Sequence, residues 1–113
     1  MKKLLFVLIF LIPILTFSQS KITFKEQDRE FTISTYGGLE FSYFSGDKIS
    51  YDFNGNPTKV GPVYISNDFN GNPTKIGKVY ISYNFNGQPT KIGGLRINYD
   101  FEGRVTSTSG SVK

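Results

Sequence analysis

Ile65-Ser66-Asn67-Asp68-Phe69-Asn70-Gly71-Asn72-Pro73-Thr74-Lys75-Ile76-Gly77-Lys78-Val79-Tyr80 is a sixteen-residue unit that decides the fold. Residues 49–64, Ile49 to Tyr64, match it at 13 of 16 positions, and residues 81–96, Ile81 to Arg96, at 10 of 16. A shortened copy covers 97–108, and a decayed copy is discernible over 33–48, where Gly38-Leu39-Glu40-Phe41 parallels Gly94-Leu95-Arg96-Ile97 across a gap. Self-similarity at a fixed period marks a repeat architecture and takes precedence over local readings.

Within the unit, Val63, Ile65, Asn67 and Phe69 alternate with Tyr64, Ser66 and Asp68, the period of two of a half-buried strand. Asn70-Gly71 then reads as a two-residue type I′ turn, which needs positive φ at both central residues. Pro73 to Ile76 forms a short return strand, and Gly77-Lys78 suits a type II′ turn. Asn54, Gly55, Asn86 and Gly87 repeat the Asn-Gly turn role of Asn70 and Gly71. This register pairs Phe69 with Asn72, Asn67 with Thr74 and Ile65 with Ile76, then Ile76 with Val79 and Lys75 with Tyr80. Pro73 lacks an N–H, so splayed pairing or a bulge is expected near the Asn-Gly tip.

The register advances steadily from repeat to repeat, as the shear of a small barrel requires. Further strands are expected over Lys21–Lys25, Glu30–Thr35 and Leu39–Phe44, joined by Glu26–Arg29 and Gly37-Gly38. The expectation is an all-β antiparallel meander of ten or eleven short strands, curled into a barrel or half-barrel; a β-solenoid is the alternative. Phe53, Phe69, Phe85 and Phe101 are expected to line the inside in one column, with Tyr51, Tyr83 and Tyr99 in the next. A chain this short buries a modest share of its surface, so large rings would matter for stability.

Met1-Lys2-Lys3, an apolar run from Leu4 to Leu15 and Thr16-Phe17-Ser18-Gln19 read as a signal peptide, residues 1–18, cleaved after Ser18. The run is too short for a transmembrane helix. The expected product is a single β-repeat domain, 19–113, secreted or periplasmic, with no membrane span. The whole chain carries +4; losing Lys2 and Lys3 leaves 11 basic against 9 acidic residues, or +2. The lysines recur singly rather than clustering, so nucleic acid is not an expected partner.

The 113-residue chain has no Cys and no His. Disulfides, thiolate catalysis and thiolate zinc sites are excluded, and the usual neutral-pH general base is missing. Glu26, Asp28 and Glu30 cluster beside Arg29, in a pattern that fits a solvated turn better than an acid–base pair. No enzyme activity and no cofactor are expected. Asp52 and Asn54, like Asp68 and Asn70, are calcium-loop residue types, but an EF-hand places its glycine sixth and ends in glutamate. A calcium-stabilised repeat remains an alternative, as does a small secreted effector or hydrolase. The Asn-Pro-Thr and Gln-Pro-Thr segments are not glycosylation acceptors.

Cross-strand pairing sets Lys59 against Tyr64, Lys75 against Tyr80 and Lys91 against Arg96 on the outer face. This strip is the candidate binding site, for a surface glycan or a protein, set against a plain solvated face with lysine stems over the rings.

The unit Tyr-Asp-Phe-Asn-Gly-x-x-Thr-Lys-Ile-Gly resembles repeats of short, uncharacterised secreted proteins of Bacteroidetes, whose signal endings Thr16-Phe17-Ser18-Gln19 also resembles. Tyr99-Asp100-Phe101-Glu102-Gly103-Arg104-Val105-Thr106-Ser107 is similar to the core of the YD repeat of Rhs and teneurin proteins. That resemblance, over residues 49–108, implies a β-rich secreted scaffold of the kind used in shells and adhesion surfaces. The period here is 16 rather than about twenty, and four units are too few to enclose a shell.

Overall fold

A computed structural model describes residues 20–113; the expected signal peptide and its cleavage point lie outside them. Among the described residues there are eleven strands and no helix. They are β1 (Lys21–Glu26), β2 (Arg29–Ser34), β3 (Leu39–Phe41), β4 (Ile49–Tyr51), β5 (Pro57–Val60), β6 (Val63–Asn67), β7 (Pro73–Ile76), β8 (Val79–Tyr83), β9 (Pro89–Ile92), β10 (Leu95–Tyr99) and β11 (Val105–Ser109). Every pairing is antiparallel between chain neighbours. The chain is thus the expected all-β meander, but split into a three-stranded sheet (β1-β2-β3) and an eight-stranded sheet running from β4 to β11. Leu39-Glu40-Phe41 pairs with β2 in the small sheet, so the decayed copy does not extend the large one.

The large sheet does not close into a barrel: β4 and β11 stand at its two ends and do not pair with each other. Its apolar face is covered instead by the small sheet. Ile22, Phe24, Phe31 and Ile33 from β1 and β2 form one core with Val60, Val63, Ile65, Ile76, Val79, Ile81, Ile92 and Ile97 of the large sheet. The strict alternation of burial along β1 supplies the covering layer, and two stacked sheets bury apolar faces as well as closure does. Polar contacts pin the layers at their margins. Arg29 donates Nη2 and Nε to the two carboxylate oxygens of Asp47, at 2.6 and 3.0 Å. Lys78 N–H donates to Glu26 Oε1 at 2.8 Å, and the Lys113 ammonium pairs with the same carboxylate.

The tight Gly-X turns form as expected, with Ile76 paired to Val79 and Lys75 to Tyr80 around Gly77-Lys78. Gly77 takes φ 61° and Lys78 does not share its sign, as a type II′ turn requires. The Asn-Gly loops differ from expectation. Asn54, Asn70 and Asn86 keep negative φ, and only the glycine after each is positive, at 86°, 85° and 81°. Gly71 N–H donates to the Asp68 carbonyl and Asp68 N–H to the Asn72 carbonyl. The connection is therefore a three-residue loop, Phe69-Asn70-Gly71, of the type I turn plus αL-glycine kind. Asp68 selects it: its Oδ1 accepts from the N–H groups of both Asn70 and Asn72 at 2.9 Å, which a tight type I′ turn would not present together.

The longer loop moves the register. Asn67 faces Pro73 rather than Thr74, with a bulge after Ser66, and the pairing of Phe69 with Asn72 is not made. The same bulge occurs after Ser50, Ser82 and Asn98. At the last of these Val105 stands where the others have proline, so the bulge belongs to the loop and not to the missing N–H. The genuine type I′ turn is elsewhere, at Gln27-Asp28, with φ of 48° and 68°.

Candidate binding face

The inward positions of β5 to β10 are filled mainly by Val and Ile, so Lys59, Tyr64, Lys75, Tyr80, Lys91 and Arg96, which alternate with them, lie on the opposite face of the large sheet. Cross-strand pairing brings Lys59 to Tyr64, Lys75 to Tyr80 and Lys91 to Arg96, all as expected. Lys59 Nζ lies 5.2 Å from the Tyr64 ring centroid and Lys75 Nζ 4.9 Å from that of Tyr80. The rings remain 68% and 63% exposed. A cation–π contact at such a site is worth about 0.5–1 kcal/mol and restrains the ring more than it hides it. Ser66 rather than Tyr64 shares the row of Lys75 and Tyr80, so the two equivalent rings are offset by two residues as well as two strand spacings, roughly 12 Å in all.

Arg96 replaces the tyrosine in the third repeat, so two cations face each other across β9 and β10. Beside them runs an open groove of ≈ 740 Å³, bordered by Ser82, Asn84, Asn98 and Phe101. The strip is therefore aromatic over its first two repeats and cationic over the third.

The expected phenylalanine column is not inside. Phe53, Phe69, Phe85 and Phe101 are 102%, 101%, 103% and 91% exposed. Each is the first residue of its three-residue loop, beyond the last ladder pair, so it projects from the hairpin tip. Reading the loop as two residues kept these rings in the strand, which is why alternation misplaced them. Of the expected tyrosine column, two members are inside and one is not. Tyr83 and Tyr99 pack against the core and donate their hydroxyls to the carbonyls of Pro73, at 2.7 Å, and Pro89. Burial pushes both phenols up, Tyr99 to about 12 and Tyr83 further. Tyr51, in the end strand β4, is exposed.

The turn residues Asn54, Gly55, Asn70, Gly71, Asn86 and Gly87 all lie in these loops. Asp52 accepts from the N–H groups of Asn54 and Asn56, and Asn84 does the same for Asn86 and Gln88. The Asn56 N–H is the chief cause holding the Asp52 carboxyl below its usual range, and the Arg104 N–H does so for Asp100. The oxygens considered for calcium at Asp52 and Asp68 thus satisfy their own loop, and Asn84 performs the same task without charge. No group of three His, Cys, Asp or Glu side chains assembles among the described residues.

Glu26 is not part of a solvated turn with Asp28 and Glu30. It takes the last inward position of β1 and is 7% exposed. Burial raises its pKa, but Lys113 and the Lys78 N–H outweigh that and the net shift is downward. Comparison with protein families, curated proteins and solved structures finds no match to the chain.

Proposed function

We propose that the protein is an exported, non-enzymatic binding module, acting at the cell envelope or outside it, whose outer face takes a surface glycan or a protein. The observation that carries this reading is the pair of exposed rings, Tyr64 and Tyr80, each braced by a lysine from the neighbouring strand. A restrained aromatic loses little freedom on binding, so it serves as a pre-organised platform. The phenylalanines at the hairpin tips add further exposed rings at the end of the sheet. Export follows from the leader-like residues 1–18, and the resemblance to the YD repeat favours adhesion over catalysis.

A glycan array tests the reading. Wild-type protein should retain a subset of glycans, and the Tyr64→Ala/Tyr80→Ala double variant should lose them while keeping its far-UV circular dichroism. Retention of the same glycans by the double variant would rule out the tyrosine strip as the site.

A further inference from the structure

The third repeat breaks the pattern of the outer face in a way the fold does not need. Where the first two copies place Tyr64 and Tyr80 opposite a lysine, this copy places Arg96 opposite Lys91. Like charges directly opposed on an antiparallel pair are destabilising. Among the described residues neither Lys91 nor Arg96 forms an ion pair. The ion pairs among the described residues join Lys21 to Glu40, Arg29 to Asp47, Lys113 to Glu26, and Arg104 to Asp100 and Glu102. Asp100 is the one carboxylate bordering the groove. Its Oδ2 accepts from Arg104 Nε at 3.0 Å, and its Oδ1 from the N–H groups of Glu102 and Arg104. Two cations without counter-charge therefore stand in the groove, beside neutral polar side chains.

Those neighbours narrow the ligand. Ser82 and Asn98 line the groove with the cations, and Asn98 Nδ2 donates to Ser107 Oγ at 3.0 Å. Phe101 flanks the groove with its ring almost wholly exposed. A guanidinium matches a planar carboxylate with two parallel hydrogen bonds. Hydroxyl and amide groups suit the hydroxyls of a sugar ring, and an exposed aromatic ring suits its apolar face.

We propose that this groove binds the carboxylate-bearing sugar units of an acidic polysaccharide. Arg96 grips the carboxylate, Lys91 supplies the second charge, and Ser82 and Asn98 take ring hydroxyls. The proposal rests on the reading of the outer face as a binding face and names the ligand class for its cationic end.

Titration calorimetry with oligogalacturonate, its methyl ester, polyglutamate and polyphosphate tests it, on wild type, Arg96→Tyr and Tyr64→Ala/Tyr80→Ala. Arg96→Tyr restores the residue that two other copies carry opposite lysine, so the fold accommodates it; an unchanged melting midpoint checks this. Oligogalacturonate should bind about tenfold or more tighter than each of the other three probes, and Arg96→Tyr should remove that preference. Equal binding of acid and ester, equal binding of polyglutamate or polyphosphate, or an unaffected Arg96→Tyr variant would each overturn the proposal, as would no binding of oligogalacturonate. Neutral glycans held through Tyr64 and Tyr80, with no preference for the acid, would overturn it while leaving the proposed function standing. Acid-selective binding that survives the tyrosine double variant would support it and refute the tyrosine strip.

Discussion

Ile76→Ala and Phe69→Ala, two truncations seven residues apart in one repeat, should differ sharply in cost. Ile76 is fully buried, paired with Ile65 on one side and Val79 on the other, and covered by the small sheet. Truncation removes three carbons at about 0.8 kcal/mol each, and the cavity left between two fixed strands brings the total to roughly 2–5 kcal/mol. Phe69 is as exposed as in an unfolded chain. Its loss should stay within about 0.5 kcal/mol, the range of surface substitutions away from special features. Urea unfolding followed by tyrosine fluorescence and far-UV circular dichroism measures both, since the chain has no tryptophan. In a domain of this size each kcal/mol moves the melting midpoint by about 4–8 °C, so Ile76→Ala should be visibly less stable and Phe69→Ala indistinguishable from wild type. A Phe69→Ala cost comparable to that of Ile76→Ala would place the ring in the core and refute the loop geometry.

The Asn-Gly loop makes a second prediction: Asn70→Ala should be nearly neutral, because Asn70 has negative φ, whereas Gly71→Val should cost more than about 1 kcal/mol at φ 85°. A two-residue type I′ turn would penalise both, so equal losses in thermal melts would contradict the three-residue loop. Glu26→Gln should weaken the junction of the sheets near neutral pH, because Glu26 holds the Lys78 N–H and the Lys113 ammonium. Its pKa lies below the ordinary value of 4.5, so its contribution is present above that value and lost as pH falls through the folded-state pKa. The gap in urea midpoint between wild type and Glu26→Gln should therefore narrow from pH 7 to pH 3; a gap that stays constant would refute the ionic role.

Much of the large sheet is legible in the repeat. A period of sixteen with one Gly-X turn dictates where β6 to β10 begin and which residues oppose each other near Gly77, so the Lys–Tyr pairs of the outer face follow from spacing alone. The Asn-Gly end resists the same reading because Asn-Gly is compatible with two loop lengths. The choice falls to Asp68, whose carboxylate collects two N–H groups only when the loop is longer. One residue of loop length carries Phe69 from the ladder to the tip, and with it all four phenylalanines. Arg96 was visible as a departure from the repeat, but only the folded groove places it beside Ser82 and Asn98, with Asp100 already engaged.

The amino-acid order by itself determined the all-β class, the strand count, the hairpin meander and the two faces of each strand, because these depend on local alternation and turn chemistry. Tertiary structure decided which apolar groups are inside and how the open sheet is sealed. Alternation separates two faces without saying what covers either of them. The cover is the hairpin of β1 and β2, whose Phe24 and Phe31 bury the valines and isoleucines of the repeats and turn Glu26 from an apparent surface acid into a buried clasp between sheets. That contact joins residues far apart in the chain, and no local pattern encodes it.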